Sequence, residues 1–182
     1  MDYKEVQGFD VAEVGGASYR DFQEMVNRGC EFVVIRSSYG LYSADSMFTT
    51  YCQWADELGL EKMAYHYSYA RNDCDALQEA RNCAKIIADS GVGLSMIWYD
   101  VEEYAEESTS KCRTFLDNVG LNCGIYANWN FLTNYIDWRS LGCAVWNAQT
   151  PNDDIGGMMW QYELDVPIID GSVDLDIKRV PV

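Results

Sequence analysis

Short β-rich runs alternate with longer amphipathic runs along most of this chain, and this alternation constrains the fold more than any other feature. The amphipathic runs start near Ser or Asp and end at Gly, as capped helices do. The strand candidates are GFDVAE, FVVIRSS, KMAYHYSYA, SMIWYDVE, CGIYAN, CAVWNAQ, GGMMWQYEL and SVDLDI. Alternating βα units predict a parallel sheet, and eight strands predict that it closes into a barrel.

The alternation of predicted strands and helices breaks down after Asn128. WNFLTNYIDWRSLG predicts at most a short irregular helix, and the last three strand candidates follow with little between them. The chain has 182 residues, whereas a complete eightfold (β/α) barrel needs about 250. We therefore expect an α/β fold, a small and irregular TIM-like barrel, formed by one domain that spans residues 1–182.

Composition limits which partners the protein can bind and where it can be located. The formal charge of −16 argues against nucleic acid as a partner, because phosphate backbones are bound by Lys and Arg. The chain shows neither a secretory signal at its start nor an apolar run that would span a membrane. We expect synthesis in the cytoplasm without a signal peptide, no membrane insertion, and a monomer. The seven scattered cysteines are expected to be reduced, without a zinc site.

Acidic residues stand where the predicted strands end. Asp10 closes the first strand candidate, Asp100 and Glu102 close the fourth, and Asp174 and Asp176 close the last. Barrel active sites form at the C-terminal ends of strands. Residues two apart on a strand face the same side, at about 6.8 Å. We therefore expect these carboxyls to share one mouth, where crowding keeps one protonated beside an ionised partner. Glycoside hydrolysis requires that division.

Each of these residues also has a plain structural interpretation. A single D-x-E in so acidic a chain is more often a solvated strand end, and strand aromatics are more often core. His66 is expected to be a hydrogen-bonded structural residue. Arg36 could be a buried countercharge to the acids or a substrate contact. The functional interpretation depends on the agreement among several strand ends.

At these residues the sequence resembles glycoside hydrolase family 25, the Chalaropsis-type N-acetylmuramidases. The resemblance runs nearly end to end, and its motifs occur in order: GFDVAE, FVVIRSSYG, AYHYSYA, YDVEE, GIYAN, VWNAQ and MWQYEL followed by DGSVDLDI. It implies an irregular (β/α)5β3 barrel, which agrees with the strand count above. It also implies a peptidoglycan hydrolase that cuts the β-1,4 bond between N-acetylmuramic acid and N-acetylglucosamine, without a metal or organic cofactor.

The resemblance also implies roles for particular residues. Glu102 would be the proton donor, Asp100 the carboxylate that orients the 2-acetamido group or positions water, and Asp10 and Asp174 supporting acids. Asp170 and Asp176 stay open as alternatives to Asp174. We lean toward participation by the acetamido group rather than a direct carboxylate nucleophile. The expected substrate-binding residues are Arg36, Tyr42, Tyr67, Tyr126, Asn128, Trp146 and Gln161.

Three positions depart from the family pattern. DVAEVGG lacks the aromatic and amide that commonly border the cleft, Thr150 replaces a tyrosine, and Asp176 replaces an asparagine. Two other functions compete: a catalytically silent wall-binding barrel, and a hydrolase that holds Mg²⁺ with the same acids. The setting resembles that of a phage endolysin released to the wall by a holin, or the catalytic portion of a longer lysin.

Overall fold

The structure is a computed structural model that describes residues 2–148 and 154–182. The strands are β1 Tyr3–Val11, β2 Phe32–Tyr39, β3 Ser43–Ala44, β4 Glu61–Tyr67, β5 Ile97–Asp100, β6 Cys123–Asn128, β7 Val145–Ala148, β8 Met159–Pro167 and β9 Ser172–Pro181. The helices are α1 Tyr19–Asn27, α2 Phe48–Leu58, α3 Asp73–Ser90, α4 Ser108–Asn118, α5 Trp129–Asn134 and α6 Trp138–Leu141.

Eight of these strands close into the predicted barrel. Their order around it is β1, β9, β8, β7, β6, β5, β4 and β2, and β2 pairs in parallel with β1 to complete the circle. Helices follow β1, β2, β4, β5 and β6, whereas β7, β8 and β9 follow one another without helices among the described residues. The expected α/β barrel of five βα units and three further strands is confirmed.

The alternation of side chains along β2 shows how the strands divide two apolar layers. Phe32 and Val34 point into the barrel, where they pack in a cluster that includes Trp98. Val33 and Ile35 point outward into the larger cluster that the helices cover. Because both layers are apolar, β2 begins with four consecutive hydrophobic residues, FVVI. The inward-facing positions beyond Val34 and Trp98 become polar, and they build the site.

Two strand boundaries differ from the prediction. β1 starts at Tyr3 rather than Gly8, because β9 runs antiparallel beside it and pairs Tyr3 with Pro181. β5 ends at Asp100, so Glu102 lies in the following loop and not on the strand. Tyr104 in that loop has a left-handed backbone with φ of 51°, which turns the chain away from the sheet.

The direction of β9 corrects a second expectation. Asp174 and Asp176 were placed at the C-terminal end of a parallel strand, but they lie near the start of a strand that is antiparallel to both neighbours. A strand that runs antiparallel to its neighbours starts at the end of the barrel where those neighbours finish. Asp174 therefore reaches the mouth, in register with Asp10.

The helix boundaries follow the capping signals only in part. Ser18 caps α1 by accepting a hydrogen bond from the Asp21 backbone, and Asn72 rather than an aspartate caps α3. Gly59 and Gly91 end α2 and α3 in the left-handed conformation. The irregular stretch after Asn128 forms two short helices, α5 and α6.

Two further predictions bear on the fold. All seven cysteines are unpaired: Cys30, Cys52, Cys83 and Cys112 are buried, Cys123 and Cys143 partly so, and Cys74 is exposed. Gln149 at the end of the predicted sixth strand, CAVWNAQ, and Thr150 after it, lie outside the described residues. Among the residues that are described, no helix has the length and apolar character to cross a bilayer.

Candidate active site

A cleft of about 210 Å³ opens at the mouth of the barrel. Its walls are the last inward-facing residues of the strands and the first residues of the loops that follow. The lining residues are Asp10, Ala12, Val14, Arg36, Tyr65, Tyr67, Asp100, Glu102, Tyr126, Trp146, Gln161 and Asp174. The sequence-predicted acids Asp10, Asp100, Glu102 and Asp174 therefore do share one mouth.

An amide and two carboxyls form one side of the cleft, and a third carboxyl is buried beneath them. The Gln161 side-chain nitrogen donates to Asp10 Oδ2 at 2.7 Å and to Asp174 Oδ2 at 3.2 Å. Asp176 lies one inward-facing position deeper than Asp174, and its Oδ1 accepts a bond of 2.9 Å from Trp146 Nε1. Burial, followed by the charge of Asp174, raises the pKa of Asp10 from 3.8 to about 8. Burial and the charge of Asp10 raise the pKa of Asp176 well above its usual range.

Asp100 lies at the base of the cleft and is the most confined of the lining acids. It is 4% exposed, and its Oδ1 has no hydrogen-bond partner among the described residues. Burial raises the pKa of Asp100 well above its ordinary value, and the charges of Glu102 and Asp10 add to this rise. Arg36 opposes it. The free carboxyl oxygen is therefore an acceptor, or a proton carrier, at the base of the cleft.

Glu102 lies above Asp100 on the loop after β5 and is only partly buried. Burial raises its pKa, and the charges of Asp174 and Glu103 act in the same direction. A hydrogen bond donated by Tyr126 would lower the pKa of Glu102. A carboxyl with a raised pKa that a ligand can still reach is suited to general acid catalysis.

The contact between Tyr126 and Glu102 depends on where the phenolic proton lies. Tyr126 donates that proton to Gln161 Oε1 at 2.7 Å, and a phenol carries only one. The contact with Glu102 is then satisfied by a proton on the carboxyl, with the phenolic oxygen as its acceptor. The hydrogen-bond chain from Asp10 through Gln161 and Tyr126 therefore favours a protonated Glu102.

Arg36 also lines the cleft, and its positive charge offsets the negative charge of the acids. Its Nε donates to Asp45 Oδ2 at 2.7 Å, and the buried Asp45 also accepts the backbone N–H groups of Glu13 and Met47. This ion pair fixes the guanidinium at the edge of the cleft, where its charge faces Asp100. The structure therefore supports the countercharge interpretation of Arg36, which also lines the cleft.

Most of the predicted binding residues reach the cleft, but two do not. Tyr67, Tyr126, Trp146 and Gln161 line it together with Arg36. Tyr42 lies outside with 75% of its surface exposed, because it belongs to the turn between β2 and β3. Asn128 caps α5 by accepting a bond of 3.0 Å from the Phe131 backbone. Neither residue is among those that line the cleft, and their roles in substrate binding stay predictions.

The remaining candidates are also placed. Asp170 accepts a bond of 2.7 Å from Ser18 Oγ in the turn between β8 and β9, so Asp174 is the fourth acid of the cleft. His66 is fully buried and bonds Ser38 Oγ through Nδ1 at 2.8 Å, as a structural residue should. Within residues 2–148 and 154–182, no group of three or more His, Cys, Asp or Glu side chains is arranged to hold a metal ion.

Sequence reasoning missed several residues of the site. Val14 lines the cleft with 82% of its surface exposed, where the family pattern has an aromatic residue nearby. Asp45 and Glu103 were also missed; Glu103 accepts a bond of 3.3 Å from the Tyr67 hydroxyl. The run of acids in YDVEE signals Glu103, but nothing near Asp45 predicts its pairing with Arg36.

The fold and the site define a class: a barrel enzyme with carboxyls of raised pKa at its mouth, as glycoside hydrolases have. Residues 9–170 match the profile of the family described as glycosyl hydrolases family 25, and the chain belongs to that family. It is 29% identical to the autolytic lysozyme of Clostridium acetobutylicum over 185 residues, which cover 94% of this chain. The chain spans 55% of that relative's length.

Solved structures show the same fold. The catalytic domain of endolysin ply40, from bacteriophage P40 of Listeria monocytogenes, has a TM-score of 0.78 at 22% identity. The comparison covers 97% of this chain and 94% of that domain. The modular autolysin LytC of Streptococcus pneumoniae, in complex with a synthetic peptidoglycan ligand, has a TM-score of 0.77 at 19% identity. That comparison covers 95% of this chain and 46% of LytC.

Proposed function

We propose that this chain is an N-acetylmuramidase, which hydrolyses the β-1,4 bond between N-acetylmuramic acid and N-acetylglucosamine in bacterial peptidoglycan. The observation that carries the proposal is a pair of carboxyls in the cleft, Glu102 near its opening and Asp100 at its base. Both have a raised pKa, and a ligand can reach Glu102. Membership of family 25 and the peptidoglycan ligand of LytC support the choice of substrate.

Glu102 is the proton donor of the proposed reaction. It lies at the mouth, where a glycosidic oxygen can approach, whereas Asp100 lies at the base with 4% exposure. Donation of the Glu102 proton lets the bond between the anomeric carbon and that oxygen break as positive charge develops on the sugar. The ionised Glu102 then takes a proton from the water that completes hydrolysis.

Asp100 is the residue that faces the 2-acetamido group. An amide N–H that donates to its free Oδ1 would stabilise the ionised form. The acetamido oxygen would then be oriented toward the anomeric carbon, which is the substrate-assisted route that we favour. Asp10 and Asp174, bound by Gln161, keep the adjoining wall fixed. We also propose that the protein acts as a monomer.

The apolar and aromatic surfaces around the acids suit a sugar chain. Tyr65 and Tyr67 face the cleft, and their rings can cover the C–H faces of pyranose rings. Trp146 is only 1% exposed and packs behind them, against Tyr65 and Tyr126. We propose that the protein acts at the bacterial wall, as the endolysin and autolysin relatives are named for doing.

Mass analysis of the fragments released from purified peptidoglycan tests this function directly. A muramidase leaves muramic acid at the new reducing end, which is identified after borohydride reduction as muramicitol. Fragments that end in reduced glucosamine would indicate a glucosaminidase instead. If no fragments form but the protein sediments with the wall, the silent binding barrel would replace the enzyme.

A further inference from the structure

Lys111 is a buried cation outside the cleft. It lies in the first turn of α4, is 1% exposed, and belongs to the same buried surface as Cys112 and Phe115. It forms no ion pair with a carboxylate of the described residues, so its ammonium is held by backbone oxygens alone. An apolar side chain would fill this position at lower cost, because desolvating an ammonium is unfavourable.

The Lys111 ammonium joins two loops that border the cleft. It donates to the Ala70 carbonyl at 3.0 Å, in the loop of residues 68–72 between β4 and α3. It also donates to the Tyr104 carbonyl, in the loop of residues 101–107 that carries Glu102. One side chain therefore links the loop that follows Tyr67 to the loop that holds the proposed proton donor.

Glu79 binds the first of these loops from the neighbouring helix α3. It is fully buried, accepts the Tyr69 backbone N–H at 2.8 Å, and accepts the hydroxyls of Ser68 and Tyr99, each at 2.9 Å. Tyr69 and Ala70 are consecutive residues. The Glu79 carboxylate on α3 therefore binds the N–H of Tyr69, and the Lys111 ammonium on α4 binds the carbonyl of Ala70. Helices α3 and α4 pack against each other.

The loop of residues 101–107 needs such support. Tyr104 and Glu107 are non-glycine residues in the left-handed region, with φ of 51° and 55°, and such conformations persist only when their surroundings enforce them. Lys111 holds the Tyr104 carbonyl. Arg71, from the facing loop, stacks 4.7 Å from the centre of the Tyr104 ring and donates to its hydroxyl at 3.2 Å.

We propose that Lys111 is a positioning residue which, together with Glu79, ties the two cleft loops to helices α3 and α4 and so fixes Glu102 above Asp100. Tyr104 is two residues from Glu102. Loss of the hydrogen bond to the Tyr104 carbonyl would therefore let the segment that carries Glu102 move. The inference rests on the proposed function, because the reaction that Glu102 catalyses is its readout. It assigns a role to a buried charge that contacts no part of the cleft.

The test replaces Lys111 by methionine in the full 182-residue chain. Methionine keeps the apolar stem and removes the ammonium. We expect a variant that still folds, a kcat on purified peptidoglycan lowered about 10- to 100-fold, and KM changed less than about threefold, because a small displacement of a catalytic group costs rate rather than binding. The alkaline limb of the kcat/KM profile should move to lower pH, since a freed loop hydrates Glu102.

Lys85→Met is the matched control. Lys85 is exposed on α3, pairs with Asp89 and lies outside the cleft, so its loss changes the net charge equally and leaves the loops in place. It should keep the parent's kcat and pH profile. An inactive parent would refute the proposed muramidase, whereas an active parent with an unchanged Lys111→Met variant would refute only the positioning role.

A second variant applies if Lys111→Met does not fold. Lys111→Gln keeps one neutral donor, and we expect it to fold with a kcat between those of the parent and a fully released loop. Hydrogen exchange of residues 101–107 should then be faster than in the parent, while exchange in β5 stays the same. If neither variant folds, or if exchange rises equally across α3 and α4, Lys111 supports the core and the proposal is wrong.

Discussion

Tyr126 donates its hydroxyl proton to Gln161 Oε1 at 2.7 Å, and this bond orients the Gln161 amide nitrogen toward Asp10 and Asp174. The same phenolic oxygen contacts Glu102. A single hydroxyl thus connects the supporting acids on one wall with the proposed proton donor on the other. Because its proton is already donated to Gln161, we expect its oxygen to serve Glu102 as an acceptor.

Tyr126→Phe tests this arrangement. Loss of the acceptor should destabilise the protonated form of Glu102, so its pKa should fall and the alkaline limb of kcat/KM should move to lower pH. We also expect kcat to fall about 10-fold or more, as general acid catalysis weakens. Tyr135→Phe, on an exposed tyrosine of the α5 region, should leave both unchanged. A shift of the alkaline limb to higher pH would instead show that Tyr126 donates to Glu102.

The buried carboxyls predict how stability depends on pH. Asp10, with a pKa raised from 3.8 to about 8, and Asp176, raised well above its usual range, keep their protons in the folded chain at a pH where the unfolded chain has released them. Their contribution is complete below the ordinary aspartate pKa and is lost as pH rises toward about 8. We expect Tm to fall by about 5 °C or more between pH 5 and pH 8, which corresponds to about 2 kcal/mol for a domain of this size.

Asp176→Asn provides the control for that dependence. Asparagine keeps an oxygen for the bond from Trp146 and cannot ionise, so Tm at pH 8 should rise and its slope with pH should flatten. Asp117→Asn, on an exposed residue of α4, should leave the slope as it is. Calorimetry across this pH range measures both. A parent Tm that rises steadily from pH 5 to pH 8 would contradict the account of the buried acids.

The net charge of −16 predicts an unusual response to salt. An anionic protein is repelled by an anionic wall, and salt of about 150 mM shortens the range of that repulsion to about 8 Å. We expect kcat/KM on intact peptidoglycan to rise from about 10 mM to about 150 mM NaCl, and to change little on an uncharged oligosaccharide. Activity on the wall that only falls as salt is added would contradict this prediction.

The sequence predicted the barrel because each of the eight strands that close it leaves a local signature. Continuous apolar runs such as FVVI mark strands buried on both faces, and inward-facing positions two apart place Asp100 after Trp98. The same periodicity gathers Asp10 and Asp100 at one mouth once the barrel closes. These parts of the site follow from spacing alone.

The parts that could not be predicted depend on contacts between distant segments. The direction of β9 is set by its pairing with β1 and β8, which nothing within SVDLDI specifies. Arg36 and Asp45 pair because β3 folds back against the end of β2. Asn128 ends a strand and also caps the next helix, a local role that its position at a strand end did not indicate.

The central claim is that Glu102 delivers a proton to the glycosidic oxygen, and Glu102→Gln tests it most directly. Glutamine has nearly the same shape but no transferable proton, so kcat/KM on purified peptidoglycan should fall about 10²- to 10⁴-fold, the scale of general acid catalysis, while Tm stays at or above that of the parent. A folded Glu102→Gln variant that releases muramic-acid-ended fragments at the parent's rate would contradict the account.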